Sequence, residues 1–187
     1  MSIAQEIIDY NVFKQDIDHW IALKGEKKYL EFISLLKEND EKVYWEIIKD
    51  TYRYDKRLLI NIFKYLSFFE EFLRAQIWNI SEQTYKAIEE KFLREIIQTV
   101  IELKDKIYYQ EFSVKNLENS KNQINYLRNR VSHNKIILKS DFRGADLKAI
   151  LISFKNALPQ SYQQGFIEDI NQCDRGLNIP EKLKIII

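Results

Sequence analysis

Apolar residues recur at intervals of three and four along almost the whole chain, and no stretch alternates for long enough to read as a strand. That periodicity predicts an all-α fold. A first helix over about 2 to 23 carries Ile3, Ile7, Ile8, Phe13, Ile17, Trp20 and Ile21, with Gly25 as its stop. A second over about 26 to 38 presents Tyr29, Leu30, Ile33 and Leu36. Asp40 can cap a third over Val43, Trp45, Ile47 and Ile48, with a break expected near "DTYRYDKR". The strongest stripe, Leu59, Ile62, Phe63, Leu66, Phe69, Leu73 and Ile77, predicts a central helix from about 56 to 79.

Ser81 opens a further helix through about 109, with Ile88, Phe92, Ile96, Ile97, Val100, Leu103 and Ile107 on its apolar side. The Ser- and Asn-rich "EFSVKNLENSKNQ" suggests a loop or short turn. Leu117, Ile124, Leu127 and Val131 then mark a helix over about 115 to 132. After a break at "SDFRGAD", a helix over about 144 to 157 ends at Pro159. The tail, ending in "EKLKIII", is expected as short helix and coil, its isoleucines covered by the body or by a second subunit. No repeat or composition shift marks a boundary, so one all-α domain is expected over residues 1–187.

Composition narrows the function classes. Lys+Arg 29 against Asp+Glu 28 leaves a formal charge of +1, so a basic site must be local. Cys173 is the single cysteine, which excludes an intramolecular disulfide and any cysteine-based zinc site and fits a reducing compartment. The N-terminus has acidic residues where a signal peptide would be basic then apolar, and no apolar run approaches about 18 residues. A cytoplasmic protein with no membrane partner is expected. There is no glycine-rich phosphate loop, nucleophile elbow or zinc motif, and no cofactor is predicted.

The segment that carries chemistry is "YLRNRVSHNK", which holds one of the two histidines. On a helix Asn129 lies about 40° and Arg130 about 60° from His133, whereas Arg128 lies about 140° away. Arg128 and His133 can therefore converge only at a helix end, at a kink, or across a dimer axis. Such a group suits RNA cleavage without metal. His133 can move a proton near neutral pH during attack of the ribose 2′-OH on phosphorus. The Arg128 guanidinium can hold the charge that grows on the phosphate oxygens, with Arg130 in reserve. Asn129 can fix the imidazole tautomer or contact the phosphate, and the need for a 2′-OH restricts the chemistry to RNA.

"LRNRVSHN" resembles the signature of the HEPN superfamily, all-α domains whose RNase members carry arginine, a polar residue, three residues and histidine: here Arg128, Asn129, Arg130-Val131-Ser132 and His133. In "FFEEFLRAQI", Glu70 and Arg74 resemble the E-x3-R segment of the Abi-type branch, linked to abortive phage infection. The resemblance implies a HEPN-type helical bundle with a core over about 56–158 and additional N- and C-terminal helices. It also implies a homodimer that brings two copies of the motif together, and metal-independent endoribonuclease activity leaving 2′,3′-cyclic phosphate and 5′-hydroxyl ends. The biological role implied is that of a toxin or abortive-infection effector, with RNA as substrate and an antitoxin or regulatory partner; Asn134 and Lys135 would support RNA binding. The sequence departs from the HEPN partners of small nucleotidyltransferases, which place a tyrosine where Lys135 stands.

Simpler readings compete at each position. Arg128, His133 and Asn134 also suit a solvated helix end, with cations favoured by the macrodipole and Asn134 as C-cap. Glu70 and Arg74 also suit an ordinary i,i+4 surface pair. His19 suits a structural or surface role, and the tyrosines of "YRYDKRLLINIFKY" and "KIYYQEF" suit packing more than base stacking. The alternative function is a non-catalytic HEPN-like module that binds RNA or a protein; a plain helical interaction protein is a third.

Overall fold

The computed structural model describes residues 3–39, 41–81, 85–107 and 109–187; Asp40, the expected cap, and Tyr108 lie outside the described residues. Among the described residues the protein is all-α, with nine α-helices, short 3-10 turns and one small hairpin. None of these helices is long and apolar enough to cross a membrane. They fall into two compact units.

The first unit takes the described residues up to Arg57 together with Cys173–Lys184. It contains α1 (Ile3–Glu6), α2 (Tyr10–Lys24), α3 (Glu26–Glu38) and the start of α4 (Trp45–Ile80). The single helix expected over 2–23 is interrupted at 7–9, because the Ile8 amide donates to the Val43 carbonyl at 2.9 Å and the Asp9 carboxylate accepts from the Trp45 amide at 2.9 Å. Asp9 thus caps α4 from a distant point in the sequence. Gly25, at φ +85°, ends α2 as expected. The break expected near "DTYRYDKR" does not occur, and α4 runs unbroken for 36 residues. Neither glycine nor proline interrupts it, Thr51 donates its hydroxyl to the Ile47 carbonyl inside the helix, and buried Thr51, Tyr54 and Leu58 keep its inner face continuous.

Fully buried Trp45 organises this unit. Its ring lies 5.5 Å from that of Tyr29, and its indole N–H donates to Asp16 at 2.7 Å, an oxygen also reached by Lys49 at 3.1 Å. Tyr52 packs against Phe32 at 5.7 Å, so the aromatic residues here serve packing.

The second unit comprises Leu58–Gln172 and Ile185–Ile187. After α4 come α5 (Tyr85–Glu89), α6 (Leu93–Glu102), α7 (Val114–Ser132), a hairpin of β1 (Asp141–Phe142) and β2 (Ala145–Asp146), α8 (Leu147–Ala157) and α9 (Gln160–Asn171). The inner stripe of α4 is Leu58, Ile62, Tyr65, Leu66, Phe69, Leu73 and Ile77; Phe63, expected inside, is exposed and Leu59 is half-buried. Phe69 meets Phe154 at 5.7 Å, and Phe154 meets Phe166 at 5.4 Å, which ties α4, α8 and α9 into one core.

The helix expected from Ser81 to 109 is instead α5 and α6, broken at 90–92, with Phe92 left 71% exposed. The "EFSVKNLENSKNQ" segment is mostly the start of α7 rather than loop. Ser113 caps that helix by accepting from the Asn116 amide at 3.2 Å, while Asn116 and Ser120 donate to α8 carbonyls at 3.0 and 3.1 Å. Their polar side chains bridge helices instead of competing with the local backbone. The "SDFRGAD" break is a tight antiparallel turn whose central residues, Arg143 at φ +57° and Gly144 at φ +84°, are both left-handed, the pattern of a type I′ hairpin. At the C-terminus Ile187 is pinned to the Asn171 side chain by two hydrogen bonds of 2.9 and 3.1 Å, while Ile186 stays exposed.

The Trp45 hydrogen bond, aided by Lys49, holds the Asp16 carboxyl below its ordinary range. A folded-state value below the unfolded one, about 3.9 for aspartate, adds stability that is present above pH 4 and is lost as pH falls through the lower value. Asp16→Asn keeps an acceptor for the indole but removes the charge. Denaturant unfolding should show the variant weaker than wild type at pH 7, with the gap closing as pH falls below the unfolded aspartate value and through the lower folded one.

Candidate functional site

Helix α7 builds the site through its two faces. Leu117, Ser120, Ile124, Leu127 and Val131 are buried at alternating spacings of three and four. On the opposite face, at spacings of three, four and four, stand Asn122, Asn125, Asn129 and His133. At about 1.5 Å per residue this polar row is roughly 16 Å long. It ends where the helix ends. His133 is the C-cap, Asn134 follows in the left-handed region at φ +49°, and the Asn134 and Lys135 amides donate at 3.0 Å to the carbonyls of Val131 and Arg130. This is a Schellman termination with asparagine where glycine is commonest.

The row borders a cleft of about 530 Å³. The start of α6 supplies Phe92 and Arg94, the hairpin supplies Phe142 and Arg143, and α7 supplies Arg128, Tyr126 and the three asparagines. Among the described residues no carboxylate lines it. Tyr126 locks the hairpin to α7: its hydroxyl accepts from the Asp141 amide at 3.1 Å and its ring lies 5.2 Å from that of Phe142.

A second, smaller depression of about 280 Å³ is lined by Tyr126, Asn129, Arg130, His133 and Lys135. Arg128 and His133 therefore face different depressions, which adjoin across Asn129 and Tyr126. A helix end, one of the three ways in which they could approach, is present at His133. His133, Asn129 and Lys135 are exposed and Arg128 is half-buried.

Other predicted residues are committed elsewhere. Arg130 donates to the Ile136 carbonyl and to the Tyr126 hydroxyl at 3.4 Å, and its guanidinium lies 5.7 Å from the Tyr126 ring. It holds the chain that leaves α7. Glu70 and Arg74 form the expected i,i+4 pair at 2.6 Å, but Arg74 also donates to the carbonyls of Ile88 and, at 2.8 Å, of Lys91. It clips the end of α5 and thereby sets the break before α6. Neither residue lines the cleft. His19 is exposed on α2, in the first unit.

Arg94, Arg143, Asn122 and Asn125 were not expected at a site. The asparagine spacing was visible in the sequence, whereas Arg94 and Arg143 reach the cleft only through tertiary packing. The chain matches no family model, no curated protein and no solved structure.

The double role of Arg74 has a measurable signature. Arg74→Ala strands carbonyls at the end of α5 and should cost about 1–3 kcal/mol in urea unfolding. Glu70→Gln removes only the i,i+4 partner and should cost less than about 0.5 kcal/mol.

Proposed function

We propose that the protein is a metal-independent endoribonuclease of the HEPN type, acting as a toxin or abortive-infection effector on RNA, and that it works as a homodimer. The observation that carries this reading is the position of His133 at the exposed end of α7, one helical turn beyond Asn129, beside a carboxylate-free cleft that holds Arg128. The 2′-oxygen attacks phosphorus as His133 moves its proton, and the bond to the 5′-oxygen breaks. Fragments with 2′,3′-cyclic phosphate and 5′-hydroxyl ends result. Arg128 holds the phosphate oxygens as negative charge accumulates on them, and Asn129, shared by both depressions, links the two groups. A second copy of the motif would complete the cleft.

One observation favours a non-catalytic RNA-binding module instead. No side-chain hydrogen bond orients the His133 imidazole among the described residues, and Arg128 faces the neighbouring depression. Total RNA incubated in EDTA with wild type or His133→Ala separates the two. Cleavage by wild type, reduced at least about a hundredfold in His133→Ala and yielding cyclic phosphate ends, is the expected outcome; intact RNA with both proteins, or equal cutting by both, favours the module.

A further inference from the structure

We infer that the cleft between α6, α7 and the hairpin is a binding subsite for single-stranded RNA beside the cleavage position, in which Arg94 and Arg143 hold backbone phosphates and the exposed Phe92 ring stacks on an unpaired base. This deepens the cleavage reading and, for the place of His133 at one end, rests on it.

Charge is the first argument. Arg53, Arg57, Arg74 and Arg130 are each tied to a carboxylate or a carbonyl. The other four, Arg94, Arg128, Arg143 and Arg175, have no side-chain hydrogen bond or ion pair among the described residues, and the first three line this cleft. A chain with a formal charge of +1 therefore gathers three uncompensated guanidinium groups around one depression. Such a cluster is matched by a polyanion.

Backbone conformation is the second. Arg143 occupies φ +57° in a turn where asparagine or glycine would sit without strain. Its guanidinium lies 5.3 Å from the Phe142 ring, at the cleft.

Shape and the remaining side chains choose the polyanion. Phe92, Tyr126 and Phe142 offer ring surface, and the asparagine row offers amides that both donate and accept. In a duplex the base faces are stacked and closed to such rings; in a single strand they are open. The next depression along α7 shares Arg94, Asn122 and Asn125 with this cleft and sets Glu95 and Glu102 beside Lys91 and Lys121. The asparagine row leads from this cleft to the depression that holds His133.

The test is fluorescence anisotropy with a labelled, uncleavable 2′-O-methyl RNA, as a single strand and as its duplex, across a salt series. Wild type should bind the single strand at least about tenfold more tightly than the duplex. Arg94→Gln combined with Arg143→Gly should weaken single-strand binding about tenfold or more and lower the salt slope by roughly 1.4, about 0.7 per lost contact. Both positions are exposed and glycine suits the turn, so the melting temperature should not fall. No binding by wild type, a preference for duplex, or unchanged affinity in the double variant would overturn the subsite. Binding as expected by a protein that leaves cleavable RNA intact would keep the subsite and retire the cleavage reading; cleavage with normal binding by the double variant would do the reverse.

Discussion

Burial of one face of α7 is the constraint on which the second unit's site depends. Leu117, Ile124, Leu127 and Val131 must leave water, and the helical repeat then dictates which residues point the other way. Asn122, Asn125, Asn129 and His133 are that remainder. Both Arg128 and His133 ride on this helix, so no rotation brings them onto one line, and they face adjoining depressions. The hydrogen bonds from Asn116 and Ser120 to α8 resist sliding and rotation alike.

Within each unit, polar side chains are used chiefly to place backbone. Arg74 ends α5, Arg130 directs the segment after α7, Tyr126 holds the hairpin, and Asp9 opens α4 from across the sequence. A guanidinium suits this work because its planar array of donors satisfies several carbonyls at once. The arginines without such duties are correspondingly conspicuous, and three of them line one cleft.

Much of this was legible from periodicity. The all-α class follows from it, and so do α3 at its observed ends, α7 within a residue, and the termination at Gly25. Local signals misled where tertiary contacts overrode them. The "DTYRYDKR" stretch looked like a break because it is polar, yet Thr51 and Asp55 are buried and α4 passes through. The 81–109 stretch looked continuous because its apolar spacing never lapses, and the interruption is imposed by Arg74 from another helix. Spacing put Arg128, Asn129 and His133 near the end of one helix, and α7 does terminate there, with His133 as its C-cap. The spacing could not reveal Arg94 and Arg143, which lie on other elements, nor that Arg130 turns back to its own chain.

The walls of the cleft come from α6, α7 and the hairpin, which follow one another in the chain from Phe92 to Arg143. No remote strand pairing is needed to close it. Its walls lie within one continuous stretch of the chain, and loop-closure entropy grows only slowly with the length of such a stretch. A nascent chain emerging in order would have the whole cleft available once α8 has covered the apolar face of α7.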